Sequence, residues 1–288
     1  MRILFTIPHY YDPKGGGRYG SLKAASAPRR NALVGTLFSL HATFGRRQGL
    51  LGNPTTGSNT ELAADVEVVV CTTGERHLLG GLKLPAGLMR HHSTKAEPMY
   101  LGYECHEVLR RSLGRFDYYC YLEDDIALLD PLFFRKLAWF NGFAGDEALL
   151  QPNRHEVAAT QGNYKLYIDG NLTRPEWSNR WQNIAEQHEL SGEAFGMRVR
   201  FQRVNNPHSG CFFLNARQMA HWASRPDFLT RENCFVGPLE SAATLGVMRH
   251  FRVYKPSREN AGFLEVRHLD NRYLGVRLGK QRAPAEPA

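Results

Sequence analysis

The clearest structural signal in the chain is Tyr118–Phe134, YYCYLEDDIALLDPLFF, in which an apolar run leads directly into three consecutive acids. The apolar and aromatic residues of Phe116–Leu122 predict a buried strand. Glu123, Asp124 and Asp125 then follow where such a strand ends, and ligands of parallel α/β sheets bind outside these carboxyl ends. Because clustered carboxylates repel each other, a bound cation explains them well, and oxygen ligands suit Mg²⁺ or Mn²⁺. The competing interpretation is that the acids start a surface turn.

Strands and helices alternate along the first half of the chain, which predicts an α/β fold with a mainly parallel central sheet and helices on both faces. The second half is more mixed. The predicted strands are Ile3–Pro8, Val66–Cys71, Phe116–Leu122, Ala148–Gln151, Cys211–Leu214 and a last one at Phe251–Tyr254. The predicted helices begin at Pro28, Tyr100, Asp130, Asn215 and Pro238. Gly74–Pro98 and Asn153–Asn206 are expected to be irregular, the second with one helix.

The composition of the chain is that of a globular protein, with 288 residues, of which 42% are apolar and 22% charged. The net charge of +8 favours anionic partners, such as nucleotides, phosphorylated lipids, membrane surfaces or nucleic acid. The five cysteines include no CxxC pair and indicate reduced, buried thiols. Neither an apolar run of about 18 residues nor a signal peptide is visible. We therefore expect a cytoplasmic protein, and peripheral contact with the inner face of the membrane stays open.

The order of these elements resembles that of glycosyltransferases with the GT-A fold. In that family a short acidic signature, usually DxD, ends a strand and holds a divalent metal against the diphosphate of a nucleotide sugar. Here the signature is Glu123-Asp124-Asp125, with Glu at the first position instead of the commoner Asp. NPHSGCFFLNARQM (Asn206–Met219) resembles the turn and strand that border the acceptor site, and GPLESA (Gly237–Ala242) places an acid near a helix start. The resemblance covers the order of elements over residues 1–270, while the sequence match is confined to these pieces.

The resemblance implies a metal site and a donor site around the triplet. Asp125 and Glu123 are the expected metal ligands, and Glu123 and Asp124 are expected to contact the ribose or the sugar of the donor. His268 resembles the late histidine that completes the metal site in many members, and His250 is its competitor. Both histidines have the competing interpretation of ordinary surface residues. An imidazole ligand favours Mn²⁺ somewhat over Mg²⁺.

Two further residues receive roles in this interpretation. Glu240 is the expected general base for an acceptor hydroxyl, although an acid near a helix N-terminus is also favoured by the helix dipole. Arg18, at the end of the glycine-rich stretch KGGGR, is expected to neutralise the diphosphate, and Arg29 and Arg30 are alternatives for the same task. The stretch lacks the ending of a P-loop, so a plain mobile loop is its competing interpretation.

The resemblance also implies a domain organisation. We expect a single Rossmann-like domain over residues 1–280, in which residues 1–152 bind the nucleotide and residues 153–280 bind the acceptor. The Pro- and Ala-rich residues 281–288 are expected to form a disordered tail.

The predicted function is a metal-dependent glycosyltransferase that moves a sugar from a UDP- or GDP-sugar to a hydroxyl of a glycan or glycolipid, by analogy in surface glycan biosynthesis. Inversion at the sugar would use a base, whereas retention would not. Three alternatives stay open: a metal-independent glycosyltransferase of the GT-B type, a metal-dependent nucleotidyltransferase that releases pyrophosphate, and a basic nucleic-acid-binding module without enzymatic activity. No nucleic-acid partner is expected, because clustered Lys and Arg with interleaved aromatic residues are not evident.

Overall fold

Strands and helices alternate through the residues that the computed structural model describes, which are 1–15, 20–22, 25–157, 164–270 and 273–274. The strands are β1 (Arg2–Pro8), β2 (Gly49–Leu50), β3 (Thr56–Gly57), β4 (Asp65–Thr73), β5 (Arg90–Thr94), β6 (Tyr118–Leu122), β7 (Ile126–Ala127), β8 (Ala148–Leu150), β9 (Asn153–Val157), β10 (Lys165–Tyr167), β11 (Glu189–Ala194), β12 (Met197–Gln202), β13 (Cys211–Asn215), β14 (Arg252–Pro256) and β15 (Glu265–His268). The helices are α1 (Ser26–Phe44), α2 (Leu101–Arg111), α3 (Phe133–Ala144), α4 (Glu176–Asn179), α5 (Ala216–Ala223) and α6 (Pro238–His250).

Five strands form the central sheet in the order β13-β6-β1-β4-β5. β1 pairs in parallel with β4 and with β6, and β4 pairs in parallel with β5, whereas β13 runs antiparallel to β6. The carboxyl ends of β1 and β6 therefore lie side by side, next to the first residue of β13. This topology confirms the expected α/β fold with a mainly parallel central sheet.

Helices cover both faces of the central sheet, because side chains along β1 alternate between two apolar clusters. Ile3, Phe5 and Ile7 contribute to one cluster, which also contains Leu33 and Leu37 of α1. The other cluster contains Leu4 of β1 together with residues of three helices, namely Leu109 of α2, Met219 of α5 and Val247 of α6. The expectation of helices on both faces is confirmed as well.

The second half of the chain completes two smaller sheets with strands from the first half. Their orders are β10-β9-β15-β7 and β11-β12-β14-β8. β15 pairs in parallel with β9 and antiparallel with β7, so it lies between them. β14 pairs in parallel with β8. Strand pairing thus crosses position 152 at several places.

Three expectations about secondary structure were wrong. Gly74–Pro98 contains β5, an edge strand whose polar and partly exposed sequence RHHST lacks the apolar run of a buried strand. Asn153–Asn206 contains four strands in addition to the short α4, and the hairpin of β11 and β12 alternates exposed and buried residues. The strand near Phe251–Tyr254 is followed by β15, which is only four residues long and therefore gives a weak signal.

Two helix starts show how local signals act. The Asn215 side chain accepts a hydrogen bond from the backbone N–H of Gln218, and the Gln218 side chain accepts one from the backbone N–H of Asn215, which confirms the expected cap of α5. After Asp130 the helix begins later than expected, at Phe133. The Asp130 carboxylate instead accepts a hydrogen bond from the Leu132 backbone at 2.8 Å and so closes a turn before α3.

Within the residues described, no helix is both long and apolar enough to span a membrane. The expected tail at residues 281–288 lies outside the described residues.

Candidate active site

The acidic triplet lies where β6 ends, beside the end of β1 and the start of β13. The backbone N–H of Glu123 donates a hydrogen bond to the Gly210 carbonyl at 2.8 Å, which continues the pairing of β6 with β13. Gly210 has φ +65°, and a Cβ at this position would lie 2.9 Å from Oε2 of Glu123. Glycine suits this position, because other residues rarely adopt this φ and a Cβ would displace the Glu123 carboxylate.

Asp124 is fixed by two nitrogen donors. His9, the residue after β1, lies with its Nδ1 2.5 Å from Oδ2 of Asp124, and its Nε2 accepts the Leu78 backbone N–H at 3.1 Å. Because Nε2 is an acceptor, Nδ1 carries the proton and donates to Asp124. Arg29 of α1 donates from Nη2 to Oδ1 of Asp124. Burial raises the pKa of Asp124, but Arg29 and His9 outweigh it and leave a pKa of about 2, so Asp124 is ionised.

Asp125 shares Arg29 with Asp124 but keeps one oxygen free. Nη1 of Arg29 donates to Oδ2 of Asp125 at 2.8 Å, and the same oxygen lies 3.6 Å from Nε2 of His268. Oδ1 of Asp125 is buried and has no hydrogen-bond partner among the described residues. The Asp125 carbonyl accepts the Leu269 backbone N–H at 2.8 Å, which ties the triplet to the end of β15. Asp125 is thus an anchored carboxylate with an available ligand atom.

His268, the last residue of β15, is oriented by a buried acid. Its Nδ1 donates to Oε1 of Glu156 on β9 at 2.8 Å. The Glu156 carboxylate also accepts backbone N–H groups from Tyr273 at 3.2 Å and Leu274 at 2.8 Å. Burial raises the pKa of Glu156, but these hydrogen bonds outweigh it and hold the pKa below its usual range. Nε2 of His268 is left facing Asp125, in the carboxylate–histidine arrangement that orients metal-binding imidazoles.

The competing histidine lies elsewhere. His250 ends α6 and contacts Asp227 through its Nε2 at 2.9 Å. Its contact with Asp227 explains its place in the fold without a ligand. Of the two histidines, it is His268 that lines the pocket.

Glu123 and Glu240 lack the close cations of the neighbouring acids. Oε2 of Glu123 lies 3.9 Å from Nη1 of Arg154, and Oε1 lies 3.7 Å from Nε2 of His208, both beyond hydrogen-bond distance. Burial raises the pKa of Glu123 to about 8, where Asp125 and Glu240 add to the effect and Arg154 opposes it. Glu240 lies in the first turn of α6, and its Oε2 is buried without a hydrogen-bond partner among the described residues. Each side chain therefore has an oxygen available for a proton or a hydroxyl.

A buried ion network holds Arg154 in place behind Glu123. Nε of Arg154 donates to Oδ1 of Asp169 at 2.8 Å, and Nζ of Lys255 donates to Oδ2 of the same carboxylate at 2.8 Å. Lys255 also donates to the His208 carbonyl at 2.6 Å. Burial raises the pKa of Asp169, but Arg154 and Lys255 outweigh it and keep the pKa far below its usual range. Asp169 therefore offsets part of the charge of Arg154, and the remaining charge of Arg154 still opposes the rise of the Glu123 pKa.

One pocket collects the residues that the sequence singled out. Glu123, Asp124, Asp125, Glu240 and His268 all line it. Other lining residues are Tyr10, Arg29, Tyr121, Arg154 and His208. Arg18, the expected diphosphate-binding residue, lies outside the described residues.

The residues present are of the types that bind a divalent cation, although they do not supply a complete set of ligands. Carboxylate and imidazole are accepted ligands of Mn²⁺, and the unpartnered Oδ1 of Asp125 and Nε2 of His268 are such groups. Within the described ranges, no three His, Cys, Asp or Glu side chains are grouped closely enough to hold a metal by themselves. Mg²⁺ and Mn²⁺ sites in proteins are often completed by substrate phosphates, which suits an open set of this kind. Glu123 faces Arg154 and His208, and its ligation stays a prediction.

Several residues of the site were missed in the sequence analysis. His9 did have a signal, because it is a polar residue that directly follows the predicted strand Ile3–Pro8. The other missed residues lie in two places. The region expected to be irregular contains Arg154, Glu156 and Asp169, and Lys255 directly follows the strand predicted from the apolar residues of Phe251–Tyr254. Their partners are far away in sequence, so spacing could not reveal them.

No family model and no curated protein matches the chain. Among solved structures, the chain is similar to "Crystal structure of GalNAc-T7 with UDP, GalNAc and Mn2+", with 11% sequence identity and a TM-score of 0.48. The match covers 93% of this chain and 43% of that chain. The chain therefore spans less than half of the length of that protein.

Proposed function

We propose that the chain is a metal-dependent glycosyltransferase, which moves a sugar from a nucleotide diphosphate donor to a hydroxyl of a glycan or glycolipid. The observation that carries this proposal is the convergence of an anchored acidic pair, a carboxylate-oriented histidine and a separate unpartnered acid in one pocket. That pocket lies at the carboxyl end of the central sheet, where α/β folds bind their ligands. We include in the proposal a cytoplasmic location and a role in surface glycan synthesis.

On the donor side, Asp125 and His268 would hold Mn²⁺ or Mg²⁺, and Glu123 would be a third ligand if its side chain turned. When bound, a divalent cation supplies positive charge that stabilises the leaving diphosphate. Asp124 would orient the ribose or the sugar, because the buried His9 ring holds its carboxylate in one position. Arg18 or Arg29 would add positive charge near the phosphates.

On the acceptor side, Glu240 would act as the general base. Its unpartnered Oε2 would accept the proton of the acceptor hydroxyl. The hydroxyl oxygen would form the new bond to the sugar while the bond from the sugar to the diphosphate breaks. Without a bound cation the neighbouring Glu123, whose pKa is about 8, would hold a proton at neutral pH, and it would lose that proton on ligating the metal.

The test is calorimetric titration of UDP, and then of GDP, into wild type and Asp125→Ala, each with Mn²⁺ and with EDTA. We expect one nucleotide to bind with Mn²⁺, and binding to disappear with EDTA and in Asp125→Ala. Binding of equal strength in EDTA would contradict metal dependence and favour the GT-B-like alternative. Absence of nucleoside diphosphate binding under all conditions would reject the proposal. Release of pyrophosphate from a nucleoside triphosphate would favour a nucleotidyltransferase.

A further inference from the structure

Arg29 occupies a position that its helix does not favour. It lies in the first turn of α1, where the helix dipole disfavours positive charge, and α1 has no side-chain cap at its N-terminus. The guanidinium is 12% exposed and reaches back to the acidic pair, Asp124 and Asp125. The contacts of Arg29 are therefore explained by the two carboxylates and not by the stability of α1.

The contact between Arg29 and the acidic pair leaves hydrogen-bonding atoms unmatched on both sides. Nη2 donates to Asp124 and Nη1 donates to Oδ2 of Asp125, but Nε of Arg29 is buried without a partner among the described residues. On the other side, Oδ1 of Asp125 is equally without a partner, in a side chain that is 11% exposed. A guanidinium can satisfy a carboxylate with two parallel hydrogen bonds, and Arg29 makes a single one to each. The arrangement neutralises charge without completing either partner.

Asp124 does not depend on Arg29 for its position. His9 donates to it from a fully buried ring, and that ring is itself held by the Leu78 backbone. Asp125 is held through its carbonyl by Leu269. The acidic pair can thus keep its geometry if the long Arg29 side chain moves away.

We propose that Arg29 and a divalent cation compete for Asp125, and that Arg29, once displaced, binds the diphosphate of the donor. This inference rests on the proposed function, since it takes the cation and the diphosphate from there. Arg29 is the counter-ion of the acidic pair in the metal-free protein, and it becomes a phosphate ligand when the metal enters. Because one event releases the group that the other needs, metal and nucleotide bind with positive coupling.

The experiment measures Mn²⁺ binding from the electron paramagnetic resonance signal of free Mn²⁺, without nucleotide, for wild type and Arg29→Met. We expect Arg29→Met to bind Mn²⁺ about tenfold more tightly, because a charged hydrogen-bonded competitor has been removed. In saturating Mn²⁺, calorimetry should then show UDP binding to Arg29→Met about tenfold more weakly than to wild type. Arg47→Met, the same change at an exposed arginine outside the pocket, should match wild type in both measurements.

Arg29→Lys covers the case in which Arg29→Met does not fold, which circular dichroism would reveal. Lysine keeps the charge but cannot bridge two carboxylates, so its Mn²⁺ affinity should lie above that of wild type. Unchanged or weaker Mn²⁺ binding in the Arg29 variants would overturn the inference, while the proposed function would survive if wild type still binds Mn²⁺ and UDP. UDP binding that needs Arg29 but no metal would also overturn it, because Arg29 would then replace the metal. Failure of every variant to bind Mn²⁺ would reject both the inference and the metal dependence.

Discussion

Two pairs of acids in the pocket differ in how their charge is compensated. Asp124 and Asp125 share the guanidinium of Arg29 and lie next to His9 and His268. Glu123, in contrast, has its nearest cationic groups, Arg154 and His208, only at 3.9 and 3.7 Å, and Glu240 has no ion pair in the described part of the chain. Arg29 and His9 outweigh the effect of burial and hold the pKa of Asp124 at about 2, whereas burial raises the pKa of Glu123 to about 8. We therefore expect Asp124 and Asp125 to serve ligand binding and Glu240 to serve proton exchange, and four experiments test this expectation.

The largest effect is expected from Glu240→Gln. If Glu240 exchanges the proton of the acceptor hydroxyl, the amide removes the base, and kcat should fall roughly 100- to 10,000-fold. The measurement is steady-state transfer with the nucleotide sugar identified by calorimetry, together with UDP affinity, which should not change. Glu259→Gln, at an exposed acid, is the matched control and should leave kcat as in wild type. A full rate in Glu240→Gln would remove the difference in task between the pairs.

The next largest effect is expected from Asp169→Asn, which removes the acid that neutralises Arg154 and Lys255 behind Glu123. Breaking a buried ion network leaves charges uncompensated, so the free energy of unfolding should fall by about 3 kcal/mol. Urea unfolding measures it. Asp65→Asn breaks the exposed pair with Arg46 and should have no measurable effect. Equal losses in the two variants would mean that the network contributes no more than a surface pair.

Glu156→Gln tests the orientation of His268 without touching the acidic pair. Loss of the carboxylate behind a ligand histidine should weaken Mn²⁺ affinity by roughly 10- to 100-fold. The resonance signal of free Mn²⁺ gives that affinity directly. Asp227→Asn makes the same change behind His250, outside the pocket, and should leave Mn²⁺ affinity as in wild type. An effect of Asp227→Asn alone would exchange the roles of the two histidines.

The fourth test is a dependence of stability on pH that comes from Glu123. Burial raises its pKa from 4.5 to about 8, so between these values the folded chain holds a proton that the unfolded chain has lost. The stability due to this proton is full below the unfolded pKa and is lost as pH rises through the folded pKa. In EDTA, Glu123→Gln should therefore become more stable relative to wild type as pH rises from about 5 to about 8. Parallel urea-unfolding curves across that range would contradict a protonated Glu123.

The fold could be predicted wherever burial imposes an apolar run or a helical period. An apolar run marks the strands β1, β4, β6 and β13, and a helical period marks α1 with its buried Leu33. The edge strand β5 could not be predicted, because none of its residues is buried, and β15 could not be predicted because it is only four residues long. Propensity and periodicity carry little information for such segments.

The site could be predicted as far as its residues lie at the ends of recognisable elements. This holds for the acidic triplet after β6 and for Glu240 at the start of α6. The charged partners of these acids could not be predicted in the same way. Arg29 was one of three arginines considered for binding the diphosphate, and no sequence pattern indicated Arg154 or Asp169. Such pairings depend on tertiary contacts, which a single sequence does not display.

The position of β15 between β7 and β9 affects how the chain folds during its synthesis. A nascent chain that has emerged only to residue 264 has the acids of β6 and the Glu156 carboxylate, but not the strand that joins β7 to β9. His268 arrives after that gap is filled, through contacts of long sequence separation that form late in folding. Until residue 268 has been translated, the acidic pair therefore lacks this imidazole, and the order of translation delays the assembly of the pocket.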